Sequence, residues 1–398
     1  MEPLNIERSP APPRGFDSET RLYLRPRHLT RGPEAAHALA QGTALPLAGG
    51  PISFAACDVI LRDAAGARVA LANVAELAIW QSQLPRAEAT RVANTIARLT
   101  APRPPAAGVE FDAPTIMGVV NMTPDSFSDG GELADAAAAL DRARAHVAAG
   151  AAVVDVGGES SRPGAAPVPE EVERKRVLPV IEKLAQAGIR VSVDTRHAAT
   201  MNAAVARGAA MINDISALAH DPSSLAAAAG SGVPVVLMHG AGDPRTMQDG
   251  PSYAHAPLDV YDHLERRVEA AETAGIPRAR LIVDPGIGFT KTLAHNLEVL
   301  RWLSLYHGLG CPVLLGVSRK SFIGRLSGAG SAKTRLPGSL AAALAGLDQG
   351  VQMLRVHDVA ETAQAVAIWR AIGDDGRAVS GDAISVAACH AGALSTMP

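Results

Sequence analysis

Chemistry-capable side chains recur at one kind of position in this chain, directly after short apolar runs. They are Asn121, Asp155, Asp194, Asn213 with Asp214, His239, Asp284, Ser318-Arg319-Lys320, and Arg355 with His357. The set sorts into two chemistries. Asp194, Asn213 and Asp284 can exchange hydrogen bonds with a polar planar ring. Arg355, His357, Lys320 and, in a following loop, Arg162 can neutralise an anion, with Arg suited to bidentate phosphate contacts. Asn121 offers an oxygen to a Mg²⁺ ion that keeps most of its waters. Together they suit a polar heterocycle carrying a phosphate-type leaving group. No GxSxG and no GxxxxGK[ST] motif is present.

Eight apolar runs must position these side chains: 116–120, 153–156, 189–193, 209–212, 233–238, 281–283, 313–317 and 352–356. Each is near-continuously apolar, as strands buried on both faces are. Each precedes a stretch long enough for a helix. Acid at Glu170 and Glu171 after Pro169 marks one helix start, Gly188 its stop, and Pro179 a kink within it. Asp358 with Glu361 reads as a capping box, and Pro337 with Gly350 brackets another helix. Eight β-then-α units over 114–372 predict an α/β fold, a (β/α)8 TIM barrel, with its chemistry at the strand C-termini. An open doubly wound sheet is the rival, but no GxGxxG follows the first run.

The rest of the chain divides around that barrel. Residues 1–16 read as a flexible tail. Residues 17–105 read as a small N-terminal extension of short elements, with a strand at 21–24, a helix at 86–99 and a Pro-rich boundary at 100–105. Residues 373–398 read as a C-terminal tail. Apolar residues make up 47% and charged residues 19%, so the chain can bury a core. A net charge of −3 argues against nucleic acid as partner. No apolar run approaches a membrane span, and the first sixteen residues lack the apolar centre of a signal peptide. Cys57, Cys311 and Cys389 are too scattered for a disulfide framework or a zinc site, so a reducing cytoplasm is the expected setting.

Longer stretches carry a family likeness. GVVNMTPDSFSDGG at 118–131, DVGGESSRPG at 155–164, SVDT at 192–195, IND at 212–214, DPGIGF at 284–289, SRK at 318–320 and RVHD at 355–358 resemble, in order, the dihydropteroate synthases. The resemblance implies a transferase of folate biosynthesis and sulfonamide target on a (β/α)8 barrel. Such enzymes join 6-hydroxymethyl-7,8-dihydropterin diphosphate to 4-aminobenzoate and need Mg²⁺. It implies that Asp194, Asn213, Asp284 and Lys320 hold the pterin, with Met238 also contacting substrate. It assigns Arg162, Arg355 and His357 to the diphosphate and Asn121 to the metal. Catalysis would fall to Asp194, Asp284, Lys320, Arg355 and His357. Ser161 stands where the family usually has Thr and keeps the hydroxyl. Phe127, Pro163 and Ser321 would line the aminobenzoate site once lids at 122–131 and 159–165 close. A homodimer through helices around 336–371 is also implied. A pterin-dependent methyltransferase and a non-catalytic pterin-binding homologue are the alternatives. The first needs no diphosphate set, and the second would have lost loop or anion residues that are all present here.

Overall fold

A computed structural model describes residues 4–12, 15–122, 131–159, 168–240 and 250–373, with 131–135 traced as backbone only. The N-terminal part is a five-stranded sheet built from β1 (Ile6–Arg8), β2 (Arg21–Arg31), β3 (Leu45–Pro46), β4 (Ile52–Asp63) and β5 (Gly66–Asn73). Its strand order is β1-β5-β4-β2, with β3 also paired to β4. Helices α1 (Pro33–Ala40), α2 (Val74–Gln83) and α3 (Arg86–Thr100) flank it. The strand expected at 21–24 runs on to Arg31, through Pro26. Proline is tolerated because β2 is an edge strand and needs no donor on its outer side. A reciprocal Asn73–Glu76 capping box starts α2.

The eight expected strands all form, as β6 (Thr115–Asn121), β7 (Val153–Gly157), β8 (Val191–Asp194), β9 (Met211–Asp214), β10 (Val235–Met238), β11 (Leu281–Asp284), β12 (Leu314–Leu315) and β13 (Met353–Val356). All pair in parallel in the order β11-β10-β9-β8-β7-β6-β13-β12. A parallel bridge between Val283 and Val313 joins the two outer strands, so the sheet closes into a barrel. The helices are α4 (Gly131–Ala148), α5 (Glu170–Gln186), α6 (Ala198–Ala206), α7 (Ser224–Ser231), α8 (Ala256–Thr273), α9 (Leu293–Arg301), α10 (Ser321–Ser327), α11 (Leu336–Leu347) and α12 (Val359–Gly373). Pro179 lies inside α5, which continues to Gln186. Asp358 precedes α12 as expected, but its carboxylate is taken by Arg319, whose Nε donates at 2.9 Å.

Period-2 alternation along the strands sets what the barrel encloses. Met117, Val153, Met211, Val236, Ile282, Leu314 and Met353 fill the lower interior, and Ala106, Val109 and Phe111 close it from below. The segment after the Pro-rich stretch is thus a plug, held by a two-way backbone pairing of Ala106 with Val109. The inward positions above that apolar layer carry Asp155, Asp194, Asn213, Asp284 and Arg355.

Strand β2 straps the N-terminal module to the outside of the barrel. Arg21 pairs with Glu265 and, at 2.9 Å, with Asp262, both on α8. Tyr23 donates to Asp262 at 2.8 Å, and Arg62 reaches Asp259 at 2.7 Å. The Arg25 guanidinium sits 4.2 Å over the Trp302 ring, and Arg31 sits 4.2 Å over Trp369 of α12. Between them a 3-10 segment, Leu303–Leu309, is buried throughout. One continuous apolar core runs from Tyr23, Leu24 and Phe54 of the module to Tyr261, Leu303 and Leu309 of the barrel.

His307 lies in that seam. Its carbonyl accepts from Arg103 at 3.0 Å and its Nε2 meets the Gln349 carbonyl at 2.9 Å. Its Nδ1 is buried and has no partner among the described residues. Burial holds the imidazole down at about 3. The unfolded chain therefore binds this proton between about pH 3 and the ordinary histidine value near 6.5 while the folded chain does not. Stability from this group is complete above 6.5 and is lost as pH falls below it. We expect the urea midpoint to be lower at pH 5 than at pH 7.5, and the difference to shrink in His307→Gln. Equal shrinkage in a surface variant such as His37→Gln would remove His307 from this role.

Candidate active site

The upper mouth of the barrel gathers the inward side chains into one buried polar ring. Arg355, near the end of β13, lies between two carboxylates. Its Nε donates to Asp155 Oδ2 at 2.7 Å and its Nη2 to Asp194 Oδ2 at 2.8 Å. Asn213 Nδ2 donates to the same Asp155 oxygen at 3.0 Å. Asp155 is 0% exposed, and its Oδ1 has no partner among the described residues. Small residues leave the mouth open. A Cβ at Gly157 would touch Asp194, and one at Gly316 would approach Asp284 and Arg355.

The electrostatics follow from burial. Desolvation pushes the Asp194 carboxyl up, against the pull of Arg355 and with help from Asp155. Asp284 is also raised by burial, opposed by the Gly286 amide and Lys320. Lys320 is pushed down to about 8 by burial, against Asp284. Burial would lower Arg355 too, but Asp155 and Asp194 outweigh it and raise it. Each charged group therefore depends on its neighbours to remain charged.

Asp284 anchors the turn that follows β11. Its Oδ1 accepts from Gly286 N at 2.7 Å, and its carbonyl accepts from His239 N at 2.9 Å. Gly286 sits at φ +66, and a Cβ there would lie 2.0 Å from the His239 carbonyl oxygen, so only glycine fits. Lys320 lies just before α10, with its Nζ 4.0 Å from the Phe289 ring centre. Met238, Phe289 and Ile215 make a small apolar patch beside this turn.

His357 follows β13 directly and meets Ser318. Its Nδ1 and backbone N–H meet Ser318 Oγ at 3.0 and 3.2 Å. Burial first, then Arg355, pushes the imidazole down to about 3. With no anion beside it, burial favours the neutral ring. Asp214, also at a strand end, faces a turn. Its carboxylate accepts from Ser216 N and Oγ, both at 2.7 Å, and from Leu218 N at 3.0 Å. Arg319 is spent on Asp358. Asn121 ends β6 half-buried, and Ser321 opens α10 exposed. Phe127, Ser161, Arg162 and Pro163, and most of both expected lids, lie outside the described residues.

Two features went unassigned at the level of sequence. Asp155 stood among the strand-end residues without a role, yet it is the carboxylate shared by Arg355 and Asn213. Lys291, 3% exposed beside His239, carried no signal beyond its place five residues after Gly286. Among the described residues, no group of three or more His, Cys, Asp or Glu forms a metal cage.

Comparison with known proteins bears on this mouth directly. The family described as pterin binding enzyme matches residues 117–357. Dihydropteroate synthase of Escherichia coli K12 is 44% identical over 264 residues, 66% of this chain and 93% of that protein. The Neisseria meningitidis serogroup B enzyme is 44% identical over 270 residues, covering 67% and 95%. Among solved structures, Xanthomonas albilineans dihydropteroate synthase with 4-aminobenzoic acid is 47% identical with a TM-score of 0.64, covering 68% of this chain and 98% of that one. A Yersinia pestis dihydropteroate synthase with a sulfonamide drug is 44% identical with a TM-score of 0.64, covering 67% and 98%. The family match opens within β6 and ends on His357, so it takes in every strand of the barrel and the whole polar ring at its mouth: the chain belongs to the pterin binding enzymes, in the dihydropteroate synthase family.

Proposed function

We propose that this chain condenses 6-hydroxymethyl-7,8-dihydropterin diphosphate with 4-aminobenzoate to give 7,8-dihydropteroate and diphosphate, a transferase step of folate biosynthesis. The observation that carries this reading is the buried ring of Asp155, Asp194, Asn213 and Asp284 around Arg355. Asp155 Oδ1 is a buried acceptor without a partner among the described residues. The aminopyrimidinone edge of a pterin presents the N–H donors that such acceptors need. Leaving them unmet would cost about 1–3 kcal/mol each.

The chemistry is a substitution at the exocyclic methylene. The C–O bond to diphosphate breaks with its electrons going to the leaving oxygen. Positive charge grows on the methylene and spreads into the electron-rich ring. Asp194 and Asp284 favour that cation electrostatically. The neutral arylamine nitrogen then forms the C–N bond and releases a proton to diphosphate or solvent. No strong base is required. Arg355 supplies positive charge near the leaving group, and His357 a hydrogen bond. Asn121 would hold Mg²⁺. One amide oxygen, with no group of three or more His, Cys, Asp or Glu placed to hold a metal among the described residues, suits an ion that keeps its waters and arrives with the diphosphate. When bound, the ion offsets charge on the departing diphosphate.

A second copy of the chain is the partner we assign. Ile368 and Ile372 stand one turn apart on α12 at 59% and 71% exposure. Ser339, Ala343, Gly346 and Leu347 of α11 are used within the chain's own barrel, so less of that helix is free than its composition suggests. Buried unpaired thiols at Cys57 and Cys311 support a reducing cytoplasm. No described helix is long and apolar enough to cross a membrane.

Three measurements test these readings. Pure protein with the pterin diphosphate, 4-aminobenzoate and Mg²⁺ should release diphosphate in step with dihydropteroate. No release would overturn the assignment. Arg355→Lys keeps the charge but cannot bridge Asp155 and Asp194 with two parallel donors. It should weaken calorimetric binding of the pterin diphosphate by roughly 1.5–3 kcal/mol, and unchanged affinity would remove Arg355 from the site. Light scattering at micromolar concentration should give twice the 41.0 kDa chain mass, and a monomer mass refutes the dimer.

A further inference from the structure

The turn after β11 is under backbone strain. Gly286, Gly288 and Thr290 alternate at φ +66, +86 and +48. Positive φ is uncommon for a β-branched residue and persists only where the surroundings impose it. Three side chains impose it here. Tyr253 Oη donates to the Thr290 carbonyl at 2.8 Å and lies 3.2 Å from its hydroxyl. Asn296 Oδ1 accepts from Gly288 N at 2.6 Å. Lys291, 3% exposed, folds back beneath the turn.

Burial lowers the Lys291 amine to about 7, opposed by Asp284, and in its protonated form it has three acceptors for its three N–H groups. They are the Gly286 carbonyl at 2.9 Å, the Phe289 carbonyl at 3.1 Å and His239 Nδ1 at 2.8 Å. Burial lowers the His239 imidazole well below its ordinary value, so the ring is neutral and its Nδ1 can accept. The ammonium therefore ties both ends of the turn to the residue at the end of β10. What the turn carries is the pterin side of the mouth. Its Gly286 amide holds the Asp284 carboxylate, and its Phe289 ring lies against the Lys320 ammonium.

We propose that Lys291 is a positioning residue for the pterin subsite, fixing through the Gly286 and Phe289 carbonyls the turn that orients Asp284 and seats Lys320. It touches no substrate. It works by denying the turn its relaxed alternatives, so that Asp284 and Lys320 are already aimed when the ring arrives. This inference rests on the functional reading above.

The test is calorimetric binding of dihydropterin diphosphate to the full chain and its variants. Lys291→Met keeps length and packing but removes every donor. It should weaken binding tenfold or more. His239→Leu removes one of the three acceptors and should weaken it less, in the same direction. Asp284→Asn separates positioning from general damage. If Lys291 acts through Asp284, adding Lys291→Met to Asp284→Asn should weaken binding by less than threefold further. Full multiplication of the two losses would show a merely structural role and overturn the proposal. Unchanged affinity in Lys291→Met would overturn it as well. If Lys291→Met fails to fold, unchanged affinity in a folded His239→Leu overturns it, and a graded loss there supports it. Absence of binding by the unsubstituted protein would instead sink the functional reading.

Discussion

A guanidinium held between two buried carboxylates organises the barrel mouth. Burial pushes Arg355 down and Asp194 up, and the contact between the two opposes both. Removing one partner of such a group leaves an uncompensated buried charge, a loss of about 3–5 kcal/mol. The arrangement sets the spacing of three strands, β7, β8 and β13, that are not all neighbours in sequence. It also leaves Asp155 Oδ1 buried without a partner among the described residues, on the inward-facing positions shared with Asp194, Asn213 and Asp284. Charge balance inside the protein and ligand selection are thus one arrangement. On the proposed function, a ring rich in N–H donors would meet acceptors already fixed by Arg355, one of them, Asp155 Oδ1, without a partner among the described residues.

The barrel was legible in the sequence because its strands obey a strong rule. A strand buried on both faces must be apolar throughout, and one that ends at a solvated mouth must end in polar residues. Asn121, Asp194, Asn213, Asp284 and Arg355 obey that rule, and each lies at the end of its strand or one residue before it. What the rule cannot give is direction. Asp214 also ends a strand, yet its carboxylate turns aside to three local donors, an outcome set by Ser216 and the left-handed backbone at Ala217 and Leu218. Lys291 fails the rule in the other sense, since it lies well past its strand and returns to the site only through the folded turn. The N-terminal sheet was under-read for a similar reason. Pro26 and four arginines made 21–31 look broken and solvated, whereas an edge strand tolerates the proline, and three of the arginines meet carboxylates or rings on the barrel.

Attachment of that sheet also explains why the sixth β/α unit is so short. Its helix α9 gives way to a 3-10 segment whose seven residues are all buried. A barrel helix exposed to water needs a polar outer stripe, and Leu303, Leu305, Tyr306 and Leu309 offer none. They are covered by β2 and α3, so the module supplies the outer layer that a longer amphipathic helix would otherwise form. The compared dihydropteroate synthases cover 66–68% of this chain and 93–98% of their own length.

The strap has a consequence for the order of events during synthesis. Tyr23 waits for Asp262, 239 residues later, and Arg31 waits for the Trp369 carbonyl, 338 residues later. While the ribosome is still making β6 to β10, Arg25 and Arg27 can already meet Asp58 of β4, but Arg21 and Arg31 lack their barrel partners. Loop closure over such separations is slow relative to local helix formation. The module's own hairpin can form early, but its inner surface, with Phe54, Leu24 and the Arg25 stack, becomes dry only after α8, the 3-10 segment and finally α12 have left the tunnel. Burial of the first long strand is thus completed only by the last helix of the barrel.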